Sequence, residues 1–298
     1  MAKRLTSAAD YTSFIDAYDT WLFDCDGVIW HGDRLIEGAL DVLDLLRQKQ
    51  KHILFVTNNA TKSRRSYKTK FDKLGVKADV NEIFGSAYAT AVYLSSVMKL
   101  PKDKKVYVIG EAGLEEELRD EGITTLGGTD PTDNVTGPFS LANYTHDDSV
   151  AAVVCGLDTS ITYTKYSKAY QYLTRNPDCV FVATNEDGTY PAGDGILPGA
   201  GSISSPLRYA VKRNPIAIGK PNKTMLDTIQ AKHHFDPKRT VMVGDRLDTD
   251  ILFGQLGGVS TLLVLTGVTH ESDISGPTAS SVVPDYVTAS MGDLRLAA

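Results

Sequence analysis

Short, uninterrupted apolar runs recur along this chain, and each ends on a polar cluster. Trp21-Leu-Phe stops at Asp24, and Ile53-Leu-Phe-Val stops at Thr57-Asn-Asn. Ile216-Ala-Ile stops at Gly219-Lys-Pro, and Val241-Met-Val at Gly244-Asp245. Continuous apolar runs suit strands buried on both faces, as in a parallel sheet covered by helices. Between them lie stretches with a helical period. Glu37 to Gln48, for example, places Ala39, Val42, Leu43 and Leu46 on one face. This alternation predicts an α/β fold built on a doubly wound parallel sheet. Ligands of such sheets bind outside the carboxyl ends of the strands. All four polar clusters follow such ends, a coincidence that independent surface loops have no reason to share.

About 155 residues separate the second cluster from the third, too many for one crossover connection. That interval has strand-like runs of its own at Val106-Tyr-Val-Ile, Val150-Ala-Ala-Val-Val and Cys179-Val-Phe-Val-Ala. It also has helix-like stretches at Leu114 to Glu121 and Tyr163 to Arg175. A second α/β domain inserted into the first accounts for this pattern. The expected division is core over 1–100, inserted domain over 101–213 and core again over 214–298. Gly127 to Asp148 is rich in turn residues and reads as a surface loop.

Composition narrows the function classes. Of 298 residues, 42% are hydrophobic and 23% charged, as in an ordinary globular protein with ample core material. The formal charge of −6 is offset by no basic stripe, which argues against a nucleic-acid partner. The most basic stretch, Lys62 to Lys68, reads as a solvated helix face. Three cysteines far apart, Cys25, Cys155 and Cys179, read as free thiols in a reducing compartment. No apolar signal segment opens the chain, and no run approaches the ~20 residues of a membrane span. The expectation is a cytoplasmic protein with no membrane partner.

The chemistry starts at Asp24 and Asp26. On an extended strand they share one face, while Cys25 between them points to packing and Gly27 lets the chain turn away. Asp24 is a candidate nucleophile, since carboxylates form aspartyl-phosphates. Asp26 is a candidate proton carrier, protonating the leaving oxygen and then deprotonating water; the alternative is a turn-forming carboxylate. Thr57-Asn58-Asn59 offers a hydroxyl, amides and N–H groups for phosphate at a helix start, or else an ordinary cap. Lys220 supplies an ammonium that can neutralise phosphate and nucleophile together, with Pro221 suited to the first turn of a helix. Gly244-Asp-Arg-Leu-Asp-Thr-Asp250 carries three carboxylates in six residues. Asp245 can share a cation with Asp24, Asp250 can orient bound water or Lys220, and Asp248 reads as a helix cap. Mg²⁺ suits hard oxygen ligands, and no His or Cys cluster competes for zinc.

Asp24-x-Asp26-Gly-Val, Thr57-Asn-Asn, Gly219-Lys-Pro and Gly244-Asp-Arg-Leu-x-Thr-Asp250 resemble, in order, the four motifs of the haloacid dehalogenase-like phosphatases. Within that family, Phe23 to Val28, Gly244 to Leu247 and Leu265-Thr-Gly-Val268 look most like the eukaryotic 4-nitrophenylphosphatase, phosphoglycolate phosphatase and pyridoxal phosphatase group. The resemblance runs from about Tyr18 onward. It implies a Rossmann-like core with a large C2-type α/β cap, and family members are often homodimers through that cap. It implies Mg²⁺ held by the Asp24 carboxylate, the Asp26 backbone carbonyl and Asp245, with Asp250 behind them. It further implies phosphate contacts from Thr57, Asn58, Asn59 and Lys220. A cap loop that selects the leaving group matches Thr184 to Pro191, with Asp187 and Tyr190. Pyridoxal phosphatases have a histidine where this chain has Tyr190.

The expected activity is Mg²⁺-dependent hydrolysis of small phosphorylated metabolites, 2-phosphoglycolate foremost, with 4-nitrophenyl phosphate as an artificial substrate. Pyridoxal 5′-phosphate and phosphoproteins are alternative substrates. A dehalogenase has little use for Asp26, a phosphomutase would retain the phosphoryl group, and a non-catalytic phosphometabolite sensor needs no proton donor.

Overall fold

The apolar run before Asp24 forms the strand Thr20–Phe23, buried at all four positions. It lies inside a seven-stranded sheet ordered Lys3–Arg4, Tyr286–Thr288, Ser260–Val264, Thr240–Gly244, Thr20–Phe23, His52–Thr57, Ile83–Gly85. The registers from Lys3–Arg4 across to His52–Thr57 are all parallel. From Thr20–Phe23 the chain builds outward on one side through His52–Thr57, and later returns to the other side at Thr240–Gly244. The strand order therefore reverses between Thr20–Phe23 and Thr240–Gly244, and sheets of this kind bind their ligands outside the carboxyl ends at such a reversal. The helix Ala39–Gln48 buries Ala39, Val42, Leu43 and Leu46, the four positions its periodicity marks.

The computed structural model describes residues 2–192, 195–276 and 279–297. They form two compact units, one of Met1–Thr57, Lys68–Phe84 and Lys220–Ala298, the other of Asn58–Tyr67 and Gly85–Gly219. The second unit has its own five-stranded sheet, ordered Ile216–Ala217, Val180–Ala183, Val150–Cys155, Lys105–Ile109, Thr124–Gly127. Its pairings are parallel throughout. The helices Ala112–Asp120 and Tyr163–Arg175 fall on the stretches that the helical period marks.

Two expectations need correction here. The run Ile216-Ala-Ile does not join the sheet of the other three motifs. Its strand Ile216–Ala217 pairs with Val180–Ala183 in the second sheet. A short apolar run carries no mark of which sheet buries it. Pro221 lies before the helix rather than in its first turn, because the helix runs Lys223–Lys232 with Asn222 as N-cap. The turn-rich stretch after Gly127 is largely exposed, as expected, but it sends one carboxylate inward. Asp133 is buried, accepts the Tyr107 hydroxyl at 2.7 Å and pairs with Lys168. Among the described residues no helix is long and apolar enough to cross a membrane.

Candidate active site

The ladder continues one residue past Phe23, where the Asp24 N–H donates to the Val243 carbonyl at 2.9 Å. The chain then turns at once. The Cys25 carbonyl accepts the N–H groups of Ile29 at 2.8 Å and Trp30 at 3.2 Å. Gly27 sits at φ +83°, and a Cβ added there would lie 2.8 Å from Asp245 Oδ2. Both the left-handed backbone and the missing side chain are needed to bring the turn against Asp245. This turn also corrects the idea that Asp24 and Asp26 share one extended face: the strand stops at Phe23.

Three carboxylates converge at the strand ends. Asp24, Asp245 and Asp250 each offer an oxygen within 4.8 Å of the others. Lys220 Nζ lies 2.7 Å from Asp24 Oδ1, 2.7 Å from Asp250 Oδ1 and 2.8 Å from the Val56 carbonyl. Its side chain is 2% exposed, so the ammonium is held by these groups rather than by water. Asp250 Oδ2 accepts the N–H groups of Asp245 at 3.2 Å and Arg246 at 3.1 Å. Both Asp250 oxygens are thus engaged by protein, which suits a residue that positions its neighbours. Asp248 does not cap the helix that follows; it pairs with Arg246 at 2.9 Å.

The stretch Leu265 to Val268 now has a role. The Val268 N–H donates to Asp245 Oδ2 at 2.6 Å, and Thr266 Oγ1 donates to the Gly27 carbonyl at 2.6 Å. A Cβ on Gly267 would fall 1.9 Å from Asp245 Oδ2, so glycine is required where this backbone meets the carboxylate.

Burial raises the Asp24 pKa well above the ordinary carboxylate value; Lys220 opposes this, while Asp250 and Asp245 add to it. Asp245 is pushed up to about 7, by burial first and by Asp250 second. Burial works against the Lys220 ammonium, but Asp24 and Asp250 outweigh it and its pKa is raised. One ammonium among three carboxylates leaves the cluster short of positive charge. Among the described residues, Asp24 Oδ2 and Asp245 Oδ1 accept no hydrogen bond. Hard oxygen donors with uncompensated charge fit a divalent cation, held by Asp24 and Asp245 with Asp250 behind them.

The other expected site residues divide between the two units, Asp26 and Thr57 in the first and Asn58, Asn59, Asp187 and Tyr190 in the second. Thr57 is buried at the end of His52–Thr57, next to Val56. No helix starts directly after it, since Arg64–Lys73 begins later. Asn59 instead closes a local turn, its Oδ1 accepting the Thr61 N–H at 2.9 Å and the Thr61 hydroxyl at 2.7 Å. Asn58 belongs to the second unit. Its Nδ2 donates to both oxygens of Asp187 at 3.1 Å, and its carbonyl accepts from Ser86 Oγ at 2.5 Å and Asn185 Nδ2 at 2.7 Å. Asp187 and Asn58 are therefore brought together, and the Asn58 side chain is committed to Asp187. Tyr190 is half-buried in the hairpin Thr189–Ala192 with Gly195–Pro198, opposite Leu197. Asp26 accepts the Trp30 indole N–H on Oδ1 at 2.8 Å, with Lys70 Nζ 3.9 Å from the same oxygen. Sequence reasoning missed Trp30 and Lys70. Trp30 reads there as one more apolar residue, and nothing local ties Lys70 to Asp26.

The chain is similar to known proteins over nearly its whole length. A haloacid dehalogenase-like hydrolase model matches residues 21–124, and a HAD-hydrolase-like model matches residues 217–294. The chain is 47% identical over 298 residues to a 4-nitrophenylphosphatase of Schizosaccharomyces pombe, covering 99% of each. It is 47% identical to phosphoglycolate phosphatase 2 of Arabidopsis thaliana, over 99% of this chain and 98% of that one. Its structure is similar to that of a p-nitrophenyl phosphatase from Archaeoglobus fulgidus, with a TM-score of 0.79 at 30% identity. That match spans 93% of this chain and 98% of the other.

Proposed function

The chain belongs to the haloacid dehalogenase-like hydrolases and is a phosphatase, and on that premise we propose that it hydrolyses small phosphorylated metabolites, 2-phosphoglycolate first among them, through Asp24. The observation that carries the reading is the buried Lys220 ammonium, 2.7 Å from Asp24 at the reversal of strand order. An anionic nucleophile and an anionic phosphate ester repel each other, and a fixed ammonium between them lowers that cost. The A. thaliana relative is named for phosphoglycolate, and its 47% identity over nearly the whole chain favours that ester.

In the proposed sequence, Asp24 Oδ attacks phosphorus and the bond to the leaving oxygen breaks. Asp26 gives that oxygen its proton; water then attacks phosphorus, Asp26 takes the water's proton, and the Asp24 Oδ–phosphorus bond breaks to release phosphate and restore the carboxylate. Thr57 and the backbone after it hold phosphate oxygens, and Lys220 balances their charge. Mg²⁺ is the cation we propose for Asp24, the Asp26 carbonyl and Asp245, where it would neutralise charge developing on the phosphoryl oxygens. We also propose a cytoplasmic homodimer joined through an inserted cap at 101–213, with the loop bearing Asp187 and Tyr190 selecting the leaving group.

Phosphate release across 2-phosphoglycolate, glycerol 3-phosphate, pyridoxal 5′-phosphate and 4-nitrophenyl phosphate tests the substrate. A kcat/KM for 2-phosphoglycolate about tenfold or more above the other metabolites is the expected result. Equal or higher values for glycerol 3-phosphate or pyridoxal 5′-phosphate would overturn the choice of substrate but not the chemistry.

The cation has a test of its own. Asp245 titrates near 7 in the fold against 3.8 when unperturbed. Between those values the folded chain holds a proton that the unfolded chain has lost, so raising the pH costs stability. Metal-free protein should therefore lose stability as pH rises from about 4 through about 7. Mg²⁺ should restore it, more at about pH 8 than at about pH 5, because the cation needs the ionised carboxylate. Thermal melts with EDTA and with Mg²⁺ measure this, and activity should vanish with EDTA and return with Mg²⁺. Equal stabilisation at both pH values, or full activity in EDTA, would contradict the assignment.

A further inference from the structure

Asp26 is the more exposed of the two aspartates in its motif, with 41% of its side chain open to solvent. A carboxylate so placed samples several rotamers unless something fixes it. Here Trp30 does so. Its indole N–H is a donor with one direction, and it points at Asp26 Oδ1 from 2.8 Å. The ring itself cannot shift: it is fully buried, and Phe71 packs edge-on at 5.0 Å. The Trp30 carbonyl accepts the Gly27 N–H at 2.8 Å, which ties the indole to the turn carrying Asp26. Lys70 covers this pair, its Nζ lying 4.2 Å from the Trp30 ring centroid and 3.9 Å from Asp26 Oδ1. The ammonium attracts the ring face and the carboxylate together, so the three groups brace one another.

We propose that Trp30 is a positioning residue for the proton transfer, holding Asp26 by Oδ1 so that Oδ2 presents its proton to the leaving oxygen, with Lys70 fixing the indole in place. This rests on the reading of Asp26 as proton carrier. In the step concerned, the Asp24 Oδ–phosphorus bond forms and the bond from phosphorus to the leaving oxygen breaks. The Asp26 proton passes to that oxygen as the electron pair arrives on it. An alkoxide leaving group needs that proton, whereas 4-nitrophenolate departs with little help. Misplacing Asp26 therefore penalises one class of ester.

The experiment is single-turnover release of the alcohol, with enzyme in excess and Mg²⁺ present, so that only the first displacement is read. Glycerol 3-phosphate and 4-nitrophenyl phosphate are compared in wild type, Trp30→Phe, Lys70→Met and Asp26→Asn. Phenylalanine keeps an aromatic face for Lys70 and removes the N–H. The rate ratio of alkyl to aryl ester should fall about 10- to 100-fold in Trp30→Phe, with half-saturation little changed, part of the 10²–10⁴ that a placed proton carrier supplies. Lys70→Met should shift the ratio in the same direction by less, and Asp26→Asn by more. If Asp26→Asn lowers the ratio but neither Trp30→Phe nor Lys70→Met does, the positioning role is wrong and the proton-carrier reading stands. If Asp26→Asn slows both esters alike, the proton-carrier reading fails and takes the proposal with it. A merely structural Trp30 would slow both esters equally, which also overturns the proposal.

Discussion

Asp24→Asn should fold, bind and not turn over. An amide oxygen cannot form the aspartyl-phosphate, so kcat should fall about 10⁴-fold or more, the scale on which removal of a nucleophile acts. The fold should tolerate the change for reasons visible around the residue. Burial first, then Asp250 and Asp245, hold the Asp24 pKa well above the ordinary value. An acid raised in the fold keeps a proton that the unfolded chain releases, so its ionised form costs stability above the unfolded pKa. Replacing it by a neutral amide removes that cost. Lys220 keeps Asp250 at 2.7 Å and the Val56 carbonyl at 2.8 Å, and the new amide oxygen can still accept from it. Metal-free Asp24→Asn should therefore melt no lower than metal-free wild type near neutral pH. Turnover at the wild-type rate would remove Asp24 from the mechanism. A large fall in melting temperature would contradict the electrostatic account of the cluster.

Much of this arrangement is readable in the chain because burial leaves a local trace. The runs at Trp21, Ile53 and Val241 are continuous because a parallel sheet covered on both faces buries every residue. Asp24 and Asp245 then follow at adjacent strand ends, as their registers confirm. Tyr163–Arg175 is read to the residue, since an amphipathic helix writes its period into the sequence. What fails to show is whatever depends on partners distant along the chain. Ile216-Ala-Ile looks like the other three runs, yet it pairs in the second sheet. Asp133 sits among turn residues and reads as solvated, while the fold turns it against Tyr107 and Lys168. Asp26 appears as the twin of Asp24, but the turn at Cys25 sends it to Trp30 and Lys70. The glycines at 27 and 267 carry no chemistry that a motif search would flag. They matter because a side chain at either would collide with Asp245.

Lys220→Met should damage stability and activity together, and pH should separate the two effects. Methionine keeps the length of the buried stem and removes the only ammonium among the described residues within ion-pair distance of both Asp24 and Asp250. Breaking a buried ion pair from one side typically costs about 3–5 kcal/mol, because the partner charges stay behind without compensation. Lys220 is also what holds the Asp24 pKa down against burial. Without it the Asp24 pKa, raised already in wild type, rises further, and so does that of Asp245, which is about 7 with the ammonium in place. Stability of the variant then falls as pH rises from about 4, and its deficit against wild type should be larger at about pH 8 than at about pH 5. Urea unfolding at those two pH values measures the difference. Activity should fall about 10³-fold or more even where the variant is folded, on the scale of losing a group that stabilises transition-state charge. Lysine cannot be exchanged for arginine here either, because a planar guanidinium does not fit a site 2% exposed between two carboxylates and a carbonyl. A deficit that is the same at both pH values would mean that the lost stability is packing alone. The ammonium would then have no part in holding the buried carboxylates, and the case for its holding nucleophile and phosphate together would go with it.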